Sequence, residues 1–274
     1  MMAADLTIPN KTLREFARLE EEEAVNPWEG ELKVGVDLGT ANILVSVTDS
    51  AGCPVAGVST PSCVVRDGIV VDYVGAIRTV RSMKARLEEK LGVRLTKAAC
   101  AIPSGISPGN TKAIGNVVEA ADFELTAIID EPTAAATVLG IKEGAVVDVG
   151  GGTTGISVIR NGEVVLTADE PTGGTHMTLV LAGFHRTTTE EAECLKRDPA
   201  QESSVFPVIR PVVEKMASIV AGAIRGHQVE TIYVVGGACC FKEFEGIFEK
   251  RIGIPTVKPA APLLVTPLGI AMNA

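Results

Sequence analysis

One pattern occurs twice in the sequence, and this repeat constrains the fold more than any other feature. Residues 34–47 read VGVDLGTANILVSV, and residues 145–160 read AVVDVGGGTTGISVIR. Each copy has an apolar segment ending near an Asp, a glycine turn with Thr, and a second apolar segment, which is typical of a β-hairpin. The second copy has two more turn residues, and the pattern returns after about 110 residues, from Asp37 to Asp148. The repeat predicts two similar α/β domains with a cleft between them.

Both turns carry groups that suit a phosphate. Successive backbone N–H groups in a glycine-rich turn form a concave anion site, and glycine leaves room that a Cβ would fill. Thr40 and Thr153 add hydroxyl donors. Since a carboxylate repels a bare phosphate, we expect Asp37 and Asp148 to hold Mg²⁺, which takes one or two carboxylates beside phosphates and water. A single turn of this kind is an ordinary hairpin turn, whereas two copies favour the binding of ATP with Mg²⁺ in the cleft.

Composition excludes several classes of protein. The chain has 274 residues, which suggests about two domains. Its 34 acidic and 25 basic residues include no basic stripe, so nucleic acid is not an expected partner. No apolar run reaches the ~18 residues of a membrane span, and the N-terminus lacks the apolar region of a secretory signal, so we expect a cytoplasmic protein without a membrane partner. Six cysteines without a CxxC pair, and three histidines, predict neither disulfides nor a zinc site.

The pattern along the chain predicts three parts. Residues 1–30 form a polar N-terminal extension, residues 31–143 with 256–274 form the first domain, and residues 144–255 form the second. Helices are predicted at 76–91, 110–121, 132–139, 177–182, 190–196 and 208–225, and further strands at 54–59, 97–102, 125–130, 163–168 and 231–235.

Four motifs follow one another in a familiar order: VDLGTANI (36–43), IIDEPTAAA (128–136), VVDVGGGTTGISV (146–158) and YVVGGAC (233–239). Together they resemble the actin-like ATPase superfamily, which includes DnaK-type chaperones, MreB and actin. The resemblance covers nearly the whole body of the chain, and the combination is far more specific than any single motif. It implies the actin-like ATPase fold, in which duplicated ribonuclease-H-like domains enclose a nucleotide cleft, with ATP or ADP and Mg²⁺ as cofactors.

Four further segments narrow the resemblance: RDGIVVDYVGAI (66–77), ADEPTGGTHMTLVLAG (168–183), EEAECLKR (190–197) and TPLGIA (266–271). They are similar to the EutJ-type proteins of ethanolamine-utilisation operons. This implies a chaperone-like factor that uses nucleotide to assemble or reactivate components of a bacterial microcompartment. Ethanolamine-utilisation enzymes or shell proteins are then the expected partners. Two alternatives stay open, a non-hydrolysing scaffold with a vestigial pocket and a filament former like MreB, and the oligomeric state is left open with them.

The superfamily assigns roles to the residues that match its motifs. Asp37 and Asp148 would flank the metal and, with Glu131, form the catalytic group. The residues expected to cradle the phosphates are Gly39, Thr40, Ala41, Asn42, Gly150, Gly151, Gly152 and Thr153. Glu131 would orient the attacking water. The alternative for Glu131 is an acid that stabilises the dipole at the start of a helix.

The remaining matched residues would contact the nucleoside. Glu193 and Lys196 stand three apart on a predicted helix and share a face, which the resemblance places against ribose and adenine. The alternative is a solvated charged face. Gly236, Gly237 and Ala238 would let the backbone approach the adenosine.

Two departures from the chaperones affect the expected activity. Ala238-Cys239-Cys240 stands where the chaperones have polar residues and an Arg that stacks on the base, which implies loose base selectivity. No lysine in residues 66–90 matches their catalytic lysine. The resemblance therefore implies slow hydrolysis of ATP to ADP and phosphate, or none.

The N-terminal extension contains a candidate helix. Thr12 and Glu15 have the spacing of a capping box, and Pro27 disfavours helix before it, so a helix is predicted from Thr12 to about Ala24. Leu13, Phe16 and Ala17 would share its apolar face. This face either packs back on the body, frays as part of a charged tail, or docks the protein on a microcompartment component.

Overall fold

The two copies of the repeated pattern fold as antiparallel hairpins in the computed structural model, which describes residues 5–66, 68–103 and 105–274. With strands numbered along the chain, the first hairpin joins β1 (Lys33–Leu38) to β2 (Asn42–Thr48), and the second joins β8 (Gly144–Val149) to β9 (Thr154–Arg160). Asp37 pairs with Leu44 in the first, and Asp148 pairs with Gly155 in the second.

The two hairpins therefore share one register. The expectation that the second turn is longer by two residues is wrong. Gly151 and Gly152 take the places that Thr40 and Ala41 have in the first copy, so the extra glycines replace residues rather than lengthen the turn.

The first hairpin belongs to a five-stranded sheet with the order β3–β2–β1–β6–β7. Strands β1 to β3 are antiparallel, whereas β6 and β7 run parallel to β1, which requires helical crossovers. The elements of this lobe are β3 (Pro54–Pro61), a small hairpin of β4 (Val65–Arg66) and β5 (Ile69–Val70), α2 (Tyr73–Leu91), β6 (Lys97–Ile102), α3 (Pro108–Ala120) and β7 (Glu124–Asp130). Helices α2 and α3 bury an apolar face against the sheet and form the first core.

The second hairpin starts a sheet of the same plan, with the order β10–β9–β8–β11–β12. Strands β8 to β10 are antiparallel, and β11 and β12 run parallel to β8. Its elements are β10 (Glu163–Glu170), α5 (Gly174–His185), α6 (Thr189–Arg197), α7 (Glu202–Ala223), β11 (Ile232–Val235), α8 (Phe244–Ile252) and β12 (Thr256–Val257). A separate core lies between this sheet and α5, α7 and α8. The strands of the two sheets fall on either side of residue 143, and the exact domain boundaries stay a prediction.

Two short helices meet where the lobes join, α4 (Glu131–Leu139) and α9 (Val265–Met272). They approach so closely that a Cβ on Gly269 would overlap the carbonyl of Ala134. A third apolar cluster surrounds this crossing and includes Leu44 from the first sheet, Val146 from the second and Leu268 from α9. The two lobes therefore share a common centre.

The longest helix of the second lobe begins earlier than its sequence suggested. The sequence predicts this helix at residues 208–225, whereas α7 begins at Glu202 and continues through Pro207 and Pro211, although proline disfavours helix interiors. Both prolines lie on the exposed face. The opposite face buries a row of apolar side chains, and this packing outweighs the hydrogen bonds that the prolines remove.

The N-terminal extension forms a helix, α1 (Thr7–Glu21), that packs on the first lobe. Leu13, Phe16 and Leu19 have no exposed surface, and the missing side chain of Gly57 on β3 makes room for the Phe16 ring. The predicted start at Thr12 is wrong, because α1 begins a turn earlier, without a side-chain cap. The docking interpretation is also wrong, since the face it requires is already buried.

Candidate functional site

A single cleft of about 740 Å³ between the lobes collects the residues that the sequence singled out. Its walls include Asp37, Gly39, Thr40, Ala41, Asn42, Glu131, Asp148, Gly150, Gly151, Gly152, Thr153, Glu193, Lys196, Gly236, Gly237 and Ala238. These residues come from both sheets and from α4 and α6, so only the tertiary fold brings them together.

Three carboxyl groups share the middle of the cleft. Burial, and then the charge of Asp148, raise the pKa of Asp37 to about 7. Burial, and then the charges of Asp148 and Asp37, raise the pKa of Glu131 well above its usual value. The pKa of Asp148 is also raised, mainly by burial. A cavity that holds several desolvated carboxyl groups of one sign is suited to a cation.

Asp148 is held on both sides by residues that sequence reasoning did not connect with it. The hydroxyl of Thr266 donates a hydrogen bond of 2.8 Å to Oδ2 of Asp148. On the other side, Gly236 adopts a positive φ of 91°, and a Cβ there would collide with Oδ1 of Asp148. Gly236 therefore makes room for this carboxylate, and the TPLGIA segment supplies its hydrogen-bond donor.

The second glycine turn is braced by the start of α5. The amides of Gly174 and Thr175 donate to the carbonyls of Gly150 and Gly151, at 2.9 and 2.8 Å. Gly174 and Thr175 also line the cleft, although no role in the site was predicted for them. Since these amides are already bonded, α5 favours an anion at the turn through its dipole.

The two glycine turns lie against each other across the cleft. A Cβ placed on Gly151 would sit 3.3 Å from Cβ of Thr40 and 3.6 Å from Cβ of Ala41. The turns that the sequence paired by pattern are thus paired in space, one from each lobe.

Glu193 and Lys196 form a hydrogen-bonded network with α5. Nζ of Lys196 donates to Glu193 Oε2 at 2.6 Å, to Thr178 Oγ1 at 2.7 Å and to the Gly174 carbonyl at 3.0 Å. Burial keeps the pKa of Lys196 below its usual value, and its side chain is only 11% exposed. The alternative of a solvated face is therefore wrong for Lys196. Arg197, which donates to Glu193 Oε1 at 2.7 Å, also lines the cleft and was not singled out.

Glu131 lies at the start of α4, directly after the residue that caps the helix. Asp130 Oδ1 accepts the Thr133 amide at 3.0 Å, and Asp130 Oδ2 accepts the Thr133 hydroxyl at 2.7 Å. Since Asp130 already caps the helix and burial raises the pKa of Glu131, which favours its uncharged form, the dipole interpretation of Glu131 is weak. Its carboxyl group lines the cleft together with Asp37 and Asp148.

The donor set fits Mg²⁺ held jointly with phosphates. Among residues 5–66, 68–103 and 105–274, no group of three or more His, Cys, Asp and Glu side chains forms a metal centre by itself. Mg²⁺ does not need one, because it binds through one or two carboxylates, waters and substrate phosphates. Asp37 and Asp148, which line the cleft with the two glycine turns, would provide that pair of carboxylates.

Fold and site define the class. Two lobes of the same sheet order, joined by crossing helices and facing each other with paired glycine turns, are the architecture of the actin-like ATPase superfamily. Residues 60–190 match the MreB/Mbl protein family, and residues 130–263 match the type IV pilus assembly protein PilM family. The fold is shared with MreB5 of Spiroplasma citri bound to AMPPNP, at a TM-score of 0.70 and 18% identity over 88% of this chain and 95% of that one.

The particular family follows from nearer relatives. The chain is 44% identical to the ethanolamine utilization protein EutJ of Salmonella typhimurium over 241 residues, which are 88% of this chain and 85% of the relative. It is 48% identical to the crystal structure of EutJ from Carboxydothermus hydrogenoformans, with a TM-score of 0.93 over 97% of this chain and 98% of that one. The chain belongs to the EutJ family of ethanolamine utilization proteins.

Within the part of the chain that the structure describes, no helix is long and apolar enough to cross a bilayer.

Proposed function

We propose that this protein binds ATP with Mg²⁺ in the cleft and acts as a nucleotide-dependent assembly or reactivation factor in ethanolamine utilisation. The observation that carries the proposal is the meeting of the two glycine turns, one from each lobe, beside the buried Asp37 and Asp148. A ligand gripped by both turns binds the closed arrangement better than the open one, and this differential affinity is what a nucleotide switch requires.

Different groups of the chain bind different parts of the nucleotide. The glycine turns at 39–42 and 150–153 hold the phosphates through their backbone amides, and the dipole at the start of α5 favours the same negative charge. Asp37 and Asp148 hold Mg²⁺, which neutralises phosphate charge when it is bound. Lys196 and Glu193 contact the nucleoside together with Gly237 and Ala238, which line the same cleft. Glu131 orients the water that attacks the last phosphate.

Isothermal titration of ATP and ADP, with Mg²⁺ and with EDTA, tests the binding site. Asp148→Asn keeps the shape of the side chain and removes its charge. We expect it to weaken Mg²⁺-dependent ATP binding by about 1–3 kcal/mol, as for the loss of a charged partner. Asp122→Asn is the control, because Asp122 is an exposed residue paired with Arg81 outside the cleft. Equal ATP affinity of wild type and Asp148→Asn in Mg²⁺ would contradict the placement of the metal.

A non-hydrolysing scaffold is the second candidate, and one observation favours it. Burial and neighbouring carboxylates raise the pKa of Glu131 well above its usual value, which favours the protonated form, and a protonated carboxyl group cannot act as a base. A phosphate-release assay separates the two candidates. Measurable release that falls in Glu131→Gln supports a slow ATPase, whereas tight ATP binding without release supports the scaffold.

The cellular role is proposed from the family. Relatives are ethanolamine utilization proteins, so the proposed partners are ethanolamine-utilisation enzymes or shell proteins, met at a bacterial microcompartment in the cytoplasm. Pull-down of these candidates by the purified protein with ATP, with ADP and without nucleotide tests this role. Retention that is the same in all three conditions contradicts a nucleotide-dependent factor.

A further inference from the structure

The hydrogen bond between Thr266 and Asp148 is buried and of ordinary length. Thr266 Oγ1 donates to Asp148 Oδ2 at 2.8 Å, and the two residues are only 6% and 8% exposed. The other carboxylate oxygen faces Gly236, where any side chain would collide with it. The carboxylate therefore has one orientation that satisfies both sides.

Thr266 belongs to a helix that is anchored in the first lobe. The Ser46 hydroxyl on β2 donates to the Pro267 carbonyl at 2.6 Å. Gly35 on β1 leaves room for the backbone of Ala271, where a Cβ would overlap. Asp148, in contrast, lies on β8 of the second lobe. The hydrogen bond thus joins a carboxylate of one lobe to a helix fixed in the other.

The chemistry at position 266 differs from that at the start of the other crossing helix. Both α4 and α9 have an early proline, in Glu131-Pro132 and Thr266-Pro267, and Glu131 and Thr266 both line the cleft. One helix contributes a carboxyl group and the other a neutral hydroxyl donor. A second acid at 266 would add negative charge beside Asp148, whereas a hydroxyl orients it without doing so.

We propose that Thr266 is a positioning residue for Asp148, whose hydroxyl sets the carboxylate in the orientation that receives the cation of a bound nucleotide. This role rests on the proposed function, because it assigns Thr266 to the same metal and nucleotide site. Since α9 is fixed in the first lobe, the same hydrogen bond makes the orientation of Asp148 depend on how the two lobes are placed.

Three variants test this role. Thr266→Val removes the hydroxyl and keeps the branched shape, and Thr266→Ser keeps the hydroxyl. Thr48→Val is the matched control, because the buried Thr48 hydroxyl has no hydrogen-bond partner among the residues that the structure describes. Isothermal titration measures ATP affinity in Mg²⁺ and in EDTA for each full-length protein, and the gain from Mg²⁺ is compared.

We expect Thr266→Val to lose about 10-fold of the affinity gained from Mg²⁺, as for a lost hydrogen bond to a charged group. Its affinity in EDTA should stay near that of wild type, and both Thr266→Ser and Thr48→Val should keep the full gain. A full gain in Thr266→Val, an equal loss in Mg²⁺ and EDTA, or a Thr266→Ser variant that behaves like Thr266→Val would each overturn the role.

Nucleotide-free crystal structures of wild type and Thr266→Val separate this role from the proposed function. If wild type binds no nucleotide, the proposed function fails, and the structures decide positioning alone. A displaced or disordered Asp148 carboxylate in Thr266→Val then supports the role, and an unmoved carboxylate overturns it.

Discussion

At the scale of single residues, the carboxyl groups that line the cleft form a site suited to a bound cation. Asp37, Glu131 and Asp148 all have raised pKa values, with burial as the largest cause. Desolvated carboxylates of one sign oppose folding at neutral pH, and this cost persists in functional sites because a bound cation offsets it. The stability of the empty protein and its affinity for Mg²⁺ should therefore respond in opposite directions to the loss of one charge.

Asp37→Asn should stabilise the nucleotide-free protein at pH 8 and leave its stability at pH 4 almost unchanged. The pKa of Asp37 is raised from 3.8 to about 7 in the folded state. The Asp37 carboxyl group therefore ionises more easily in the unfolded chain than in the folded protein. The loss of folding stability that its charge causes grows as pH rises from about 4 to 7, and it is complete above pH 7. The shift corresponds to at most about 4 kcal/mol. Thermal melts at the two pH values, with Asp122→Asn as control, check the prediction, and a lower melting temperature at pH 8 would contradict it.

Glu131→Gln should keep ATP binding and lower phosphate release. The amide has nearly the same shape, but it cannot accept a proton from the attacking water. A loss of about 10²–10⁴-fold is expected for a group in this role. Glu119→Gln, an exposed glutamate on α3, controls for the substitution itself. Equal turnover in Glu131→Gln and wild type returns Glu131 to a structural role at the start of α4.

At the scale of elements, α1 is part of the body. Its C-terminal end is tied to α2, because Glu23, just past the helix, pairs with Arg86 and with Lys90. Near its start, Asn10 accepts the amide of Ala260 at 2.7 Å, so the helix also touches the segment that leads into α9. A helix of this length is marginal in water without such packing.

Phe16→Ala should lower the free energy of unfolding by about 3–5 kcal/mol, because it leaves a cavity under a fully buried ring. Ile8→Ala on the same helix should have little effect, since Ile8 is 78% exposed. Urea denaturation of the two variants checks both. Similar stability of Phe16→Ala and Ile8→Ala would mean that α1 does not contribute to the folded body.

Local sequence patterns predict some of the helices and hairpins, but they do not predict the bounds of α7 or the burial of α1. The hairpins around Asp37 and Asp148, and helices such as α2 and α4, follow from local period and turn chemistry, and the structure has them close to the predicted positions. The start of α7 and the burial of α1 depend on which apolar face finds a partner, and no local pattern contains that information. A capping-box spacing at Thr12 was likewise overridden by packing.

The candidate site divides in the same way. The residues of the glycine turns carry their chemistry in the sequence, and the cleft contains all of them. Thr266, Gly174 and Thr175 could not be assigned, because their importance comes from what they touch. Thr266 lies more than a hundred positions from Asp148, and a single buried threonine gives no signal of its own.

At the scale of the whole molecule, the lobes meet at the crossing of α4 and α9. The backbones touch there, since Gly269 leaves no space for a Cβ beside the Ala134 carbonyl. Side chains do not separate the two helices at this point, so the stability of the joined lobes depends on the absence of a side chain at Gly269.

Substitution of two helical glycines by alanine should have opposite effects. Gly269→Ala forces α4 and α9 apart and should destabilise the protein by about 1–3 kcal/mol or more. Gly246→Ala, on α8, meets no atom within 4 Å and should stabilise it by up to about 1 kcal/mol through helix propensity. Denaturant unfolding measures both. If both variants changed the free energy of unfolding in the same direction, the crossing would have space for a Cβ at Gly269.

The shared register of the two hairpins restricts how this molecule can evolve. Alternate residues of a strand point to opposite faces of the sheet, so one residue inserted into either turn that shifts the pairing would point Asp37 or Asp148 away from the cleft. Lineages of this protein are therefore free to exchange turn residues, as Gly151 stands where the other copy has Thr40, but not to gain or lose a single residue in either turn. Within the two turns the copies accordingly differ by substitution and not in length, whereas the rest of the two lobes differs by whole elements.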